Sequence, residues 1–198
     1  MKYTWLIDAG HGGMHEGKYM TDPKWGKFYK HPTFTAYEGV TNRKIASLLI
    51  TKLEDAGIDS VQIHHDYWDT SLSGLVSMAN AITGNKVYLS IHSNAGKGKG
   101  FEVFTSKGET KSDKLADVFC EHLIFDFPEY PLRQDVRDGD KDKEEDFYVL
   151  KKTNCPAVLV ELLFFDEIKQ AEFLNSAEGQ ERLANSLFKS IKQINETT

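Results

Sequence analysis

Short apolar runs and longer helical patterns alternate along this chain. Residues 3–7 are a run of aromatic and aliphatic side chains that stops at Asp8-Ala9-Gly10-His11-Gly12-Gly13. That pattern predicts a buried strand ending in a glycine-rich turn. Ile45, Leu48, Leu49, Leu53 and Ala56 recur at helical spacing until Gly57 closes the pattern. Residues 61–63 predict a second strand. Residues 71–82 predict a second helix, with Leu72, Leu75, Val76, Ala79 and Ile82 on one face. A third strand is predicted over 87–91, running into His92-Ser93-Asn94, and a fourth over 101–104. A third helix follows over 115–125 and a helical turn over 147–151. Residues 157–160 are the most hydrophobic run, a central buried strand that ends in Glu161. Leu183, Leu187, Ile191 and Ile194 mark a closing helix.

Strands that alternate with helices predict one α/β domain over residues 1–198. Its sheet is expected to be largely parallel but mixed, with five to six strands and helices on both faces. Two stretches lack periodicity. Residues 14–37 form a long loop with the aromatics Tyr19, Trp25, Phe28, Tyr29, Phe34 and Tyr37. Loops of that length usually carry function, and these rings suit either glycan stacking or packing of the loop itself. Residues 126–146 form an acidic, irregular loop, expected to be solvated and mobile.

Composition narrows the partners. The chain has 30 acidic and 24 basic residues and a formal net charge of −6, which argues against nucleic acid, since phosphate binding needs a surplus of Lys and Arg. No stretch approaches the roughly 20 apolar residues of a membrane helix, and the first residues lack the apolar core of a signal peptide. The expectation is a monomer made in the cytoplasm that reaches its target after release. The two cysteines, Cys120 and Cys155, read as buried thiols.

In open α/β sheets, sites collect at the carboxyl ends of the strands. His11, His92 and Glu161 each follow a predicted strand, so they meet on one rim. Glu38 shares a helix face with Asn42, Ile45 and Leu49, which points its carboxylate back toward the same rim, and Glu16 is the carboxylate that competes with it. Two imidazoles and one carboxylate with an open fourth position form a catalytic zinc set. The chemistry then needs a second carboxylate to shuttle a proton, and Glu161 is the candidate.

Four ordered motifs carry a resemblance. They are Asp8-Ala9-Gly10-His11-Gly12-Gly13, Glu38 with Asn42 and Ile45-Ala46, Ser90-Ile91-His92-Ser93-Asn94-Ala95, and Pro156-Ala157-Val158-Leu159-Val160-Glu161. Together they resemble the zinc-dependent N-acetylmuramoyl-L-alanine amidases of cell division, spores and phage endolysins, over about residues 3–194. The resemblance implies one Zn²⁺ on His11, Glu38 and His92, with Glu161 as the catalytic glutamate. The reaction would be hydrolysis of the amide between N-acetylmuramic acid and L-alanine in peptidoglycan, in phage- or prophage-driven lysis. Two departures stand out. Leu163 occupies a position that is usually glycine in this family, and His64-His65-Asp66 replaces an arginine common after the second strand.

The remaining motifs have plainer readings. His15 is expected to face substrate or solvent, with Asn94 and Trp25 as further substrate contacts. His31 is expected to be solvated, His122 to lie on a helix surface, and at most one of His64 and His65 to reach the site. Gly10 to Gly13 is no dinucleotide fingerprint, because His15 stands where a third glycine is required. Asp138, Asp140 and Asp142 hint at a calcium loop but lack its glycine and closing glutamate. Two other functions compete with the amidase: a zinc carboxypeptidase or aminopeptidase, and a wall-binding module without activity.

Overall fold

The structure, a computed structural model, describes residues 2–137 and 139–197. The chain opens with β1 (Thr4–Ala9), two short hairpins made of β2 (Met14–His15) with β3 (Lys18–Tyr19) and β4 (Phe28–Lys30) with β5 (Thr35–Tyr37), then α1 (Glu38–Asp55). There follow β6 (Ser60–Gln62), α2 (Leu72–Ala81), β7 (Lys86–Asn94), β8 (Phe101–Thr105) and α3 (Lys111–Asp126). The last part runs β9 (Lys143–Glu144), α4 (Tyr148–Lys152), β10 (Ala157–Phe164), α5 (Ile168–Asn175) and α6 (Ala177–Thr197). No helix among the described residues is long and apolar enough to cross a membrane.

The central sheet has six strands in the order β6-β1-β7-β10-β8-β9. All neighbouring pairs are parallel except β10 with β8, so the expected parallel but mixed sheet is what forms. Alternation along each strand sorts side chains between two cores. Trp5, Ile7, Val87, Leu89, Ile91, Val158 and Val160 pack under α1, α3, α5 and α6. Leu6, Tyr88, Ala157 and Leu159 face the smaller layer of α2 and α4. That second layer is short, and it leaves the carboxyl ends of β1, β7 and β10 uncovered.

Several boundaries move for physical reasons. The loop expected over 14–37 folds into two hairpins and a 3₁₀ turn at Pro23–Trp25, because its aromatics pair with one another across the strands. Tyr19 lies against Tyr37, and Phe28 is cross-strand from the same ring. His31 is buried rather than solvated, with its Nε2 2.9 Å from the Phe165 carbonyl and its ring stacked on Phe34. His92 and Glu161 lie inside β7 and β10, which run on past them, rather than after their ends. The helix α5 gave no clear signal of its own, with three buried residues (Gln170, Ala171 and Leu174) in eight. Cys120 is buried on α3 as expected, whereas Cys155 is only half-buried, and both are free.

The acidic loop is not simply solvated. Leu132 bridges to Phe101, Arg133 Nε donates to Glu102 at 2.9 Å, and β9 extends the sheet. Of the calcium-like aspartates, Asp138 lies outside the described residues. Asp142 is buried and accepts a 2.7 Å bond from Thr105 Oγ1. Burial pushes its carboxyl up from 3.8 to about 7. The folded state therefore binds a proton that the unfolded state releases between these values, and stability is lost as pH rises through that window. Asp142→Asn is expected to remove this slope. Thermal melts from pH 5 to 8 should show the wild type falling relative to the variant, and parallel curves would refute it.

Candidate active site

The uncovered carboxyl ends form a cleft of about 230 Å³. Strand alternation accounts for its floor. Leu6 and Asp8 on β1, Tyr88, Ser90 and His92 on β7, and Leu159 and Glu161 on β10 all share one face of the sheet. The apolar members sit under α2 and α4, while Asp8, Ser90, His92 and Glu161 line the open part. Register sets their neighbours: Asp8 lies beside Ser90, and Glu161 beside His92. Asp8 is buried, and its Oδ2 accepts from Tyr88 at 2.9 Å and Ser90 at 2.7 Å.

His11 follows β1 in a left-handed conformation, φ 66°. The glycine before it has a steric reason. A Cβ on Gly10 would stand 2.0 Å from Cε1 of His92, so only glycine lets the β7 imidazole lie over the end of β1. Similarly, a Cβ on Gly39 would meet the Gly12 carbonyl at 2.0 Å, and this close approach brings the first turn of α1 onto the turn after β1. Glu38 is the first residue of that helix and is fully buried. Asn42, one turn later, donates to the Gly10 carbonyl at 3.3 Å and accepts from Ser93 Oγ at 3.0 Å, tying α1 to the ends of β1 and β7.

The result is a compact donor set. One ligand atom from each of His11, Glu38 and His92 lies within 4.8 Å of the others. Glu38 Oε1 is 3.1 Å from His92 Nδ1 and 3.4 Å from His11 Nε2. Tetrahedral zinc with ligands at about 2.0–2.2 Å needs donor–donor edges of roughly 3.3–3.6 Å, so these residues fit such an ion with small adjustments. His11 Nε2 and Glu161 Oε2 are buried without a hydrogen bond, and so is Glu38 Oε2, which faces the Lys27 ammonium at 3.3 Å as an ion pair.

The ionisable groups of the cleft face one another at close range. Burial alone would raise the Glu38 carboxyl, but contacts with His11 and His92 bring it well below the usual carboxylate range. Burial disfavours the charged His92 ring, yet Glu38 and Glu161 raise its pKa overall. Glu161 moves the other way. Burial, reinforced by Glu38 and Glu102, raises it far above a normal glutamate, although His92 opposes the shift.

The structure thus brings together His11, Glu38, His92 and Glu161. It does not bring the other three expected residues into the cleft. Asn94 Nδ2 donates to Glu102, and its Oδ1 accepts from the Ala95 amide at 2.8 Å. His15 stacks on Tyr67, and Trp25 projects from the 3₁₀ turn at 63% exposure. His64 takes a structural place, its Nδ1 accepting from the Ala9 amide at 3.0 Å, and His122 bonds to Gln193 on the helix surface. Residues that sequence reasoning missed include Lys27, whose Nζ is 3.3 Å from Glu38 Oε2, and Tyr148, which also lines the cleft. Lys27 carries no local signal, because only the hairpin that follows it turns it inward. Leu163, where glycine was expected, has φ 64° just after Glu161 at a break in the β10 register. The backbone keeps the left-handed turn despite the side chain, which is fully buried in the main core.

The chain is similar to known proteins in sequence and in fold. A family described as N-acetylmuramoyl-L-alanine amidase matches residues 6–193. The chain is 30% identical to the uncharacterized protein YqiI of Bacillus subtilis (strain 168), over 95% of its own length and 82% of that protein's. It is 29% identical to the N-acetylmuramoyl-L-alanine amidase CwlM of Bacillus licheniformis, over 87% of its own length but only 60% of that protein's. Its structure is similar to the crystal structure of N-acetylmuramoyl-L-alanine amidase from Clostridium difficile 630, with TM-score 0.81, 26% identity, and coverage of 100% and 98% of the two chains.

Proposed function

This chain belongs to the N-acetylmuramoyl-L-alanine amidase family, and from that premise we propose that His11, Glu38 and His92 hold one zinc ion while Glu161 is the catalytic residue. Amidase activity on peptidoglycan follows from the family. The observation that carries the zinc assignment is the set of three donor atoms within 4.8 Å, two of them nitrogens of half-buried histidines around one buried carboxylate. Zinc bound there supplies a Lewis acid for the amide carbonyl and lowers the pKa of a water molecule.

The chain's own residues do the rest. Glu161 lies beside His92 in the sheet and holds a proton more tightly than an ordinary glutamate, which suits it to take a proton from the attacking water and give it to the leaving amine. Glu38 is anchored by the α1 backbone and keeps both imidazoles in place. Leu75, Val149 and Leu159, all buried, give the cleft apolar walls for the substrate to pack on. Lys27 lies against Glu38 and balances the excess negative charge left by two glutamates.

Product analysis tests this reading. Digested peptidoglycan should release intact stem peptides that begin with L-alanine and glycan that keeps its lactyl carboxyl groups, as seen by mass spectrometry. Chelation should stop the reaction and zinc should restore it. Shortened stem peptides instead would identify a peptidase, and chelator-resistant hydrolysis would overturn the zinc assignment.

A monomeric enzyme for phage- or prophage-driven lysis is also proposed, phage endolysins being one of the groups of amidases that the motifs resemble. Co-expression with a membrane-permeabilising lysis factor checks it, with culture lysis expected only when both are present.

A further inference from the structure

The loop between β6 and α2 carries a group of rings that the catalytic cleft does not use. Trp68 is 47% exposed, a high value for the largest side chain. Tyr67 lies 5.2 Å from it, and His15 of the first hairpin stacks on Tyr67 with centroids 4.0 Å apart and planes 8° from parallel. His15 also lies 5.9 Å from Trp68.

This loop is held firmly. Arg43, buried on α1, donates to the carbonyls of His65 at 2.9 and 3.1 Å and of Trp68 at 3.2 Å. The Tyr67 carbonyl accepts from the Gly13 amide at 2.7 Å, next to the His11 turn. The His65 ring accepts from the Tyr67 and Trp68 amides, each at 3.2 Å. A mobile surface loop would need none of these ties, and together they hold the backbone that carries the exposed tryptophan.

The loop is also continuous with the cleft, because Asp69 and Thr70, directly after Trp68, line its wall. We propose that Trp68, backed by the stacked pair Tyr67 and His15, forms a glycan subsite that binds the uncharged sugar rings of the polymeric substrate beside the scissile bond. The proposal rests on the amidase reading. A glycan strand must lie on one side of a cleft that cuts at the muramic acid, and sugar rings present apolar faces that pack on aromatic rings. Charge separates it from a peptide subsite. Asp66 and Asp69 flank the two rings in the chain, and both are exposed, so the loop repels the carboxylates of a stem peptide but not a neutral sugar.

Two measurements on the zinc-loaded protein test the subsite. In NMR titrations, a soluble N-acetylglucosamine oligosaccharide should bind the wild type and Trp68→Phe, and bind Trp68→Ala roughly tenfold more weakly, as expected for loss of one stacking ring. In kinetics, Trp68→Ala should raise KM for polymeric peptidoglycan by a similar factor with kcat falling less than twofold. Equal sugar binding by wild type and Trp68→Ala overturns the subsite, as does a loss confined to kcat. The titration needs no turnover, so failure of the amidase reading would appear separately, as absence of amide cleavage by the wild type.

Discussion

Glu161→Gln is expected to lower amide hydrolysis by about 10²–10⁴-fold, the usual share of a general acid–base group, while the protein still binds one zinc ion. The separation of the two effects follows from position. Glu161 is not one of the three residues whose donor atoms cluster within 4.8 Å, although it sits beside one of them in the sheet. Its Oε2 is buried in the cleft without a hydrogen bond, so it is free to serve a reacting group. Glutamine has nearly the same shape and cannot shuttle the proton, which keeps the fold out of the comparison. Metal content and kcat/KM measured on one preparation check the outcome. Wild-type turnover in Glu161→Gln would remove Glu161 from the mechanism.

His92→Ala is expected to lose both zinc and activity. Altering a residue that merely supports a ligand costs about 10–100-fold in metal affinity, so removal of a ligand itself should cost more. The ring also has a structural role, since it fills the space above Gly10 and partners the buried carboxylate of Glu38. Leaving that carboxylate with fewer partners costs about 1–3 kcal/mol. The variant should therefore melt earlier than wild type even when both are metal-free. Competitive zinc titration and melts in chelator separate the two roles. Unchanged zinc affinity would show that His92 is not a ligand.

Most of the fold was legible along the chain, because buried parallel strands advertise themselves as continuous apolar runs and amphipathic helices as a 3.6-residue period. The elements that escaped had weaker local patterns. The hairpins of residues 14–37 are two to three residues per strand, and α5 buries few apolar side chains. The 126–146 loop looked mobile by composition, yet Asp142 and β9 bind it to the sheet edge. Local sequence cannot register partners that lie decades of residues away.

The same division runs through the site. His11, His92 and Glu161 were visible because each polar residue interrupts or ends an apolar strand. Glu38 was visible because of its place on the α1 face. For the proposed contacts His15 and Trp25 the residue type was informative but the direction was not. His15 belongs to a ring cluster with Tyr67 and Trp68, and Trp25 stands away from the cleft.

By itself, the sequence determined the order of the main strands and helices, the motif residues and the family that they resemble, since these depend on residue type and short-range spacing. Only the tertiary structure decided that the histidine and glutamate donor atoms converge within 4.8 Å, that Gly10 and Gly39 are there to admit His92 and Gly12, and that Lys27 reaches Glu38. The reason is physical. Spacing along a strand or helix sets which face a side chain takes, whereas the distance between two faces is set by register, packing and the absence of a Cβ at the points of closest approach.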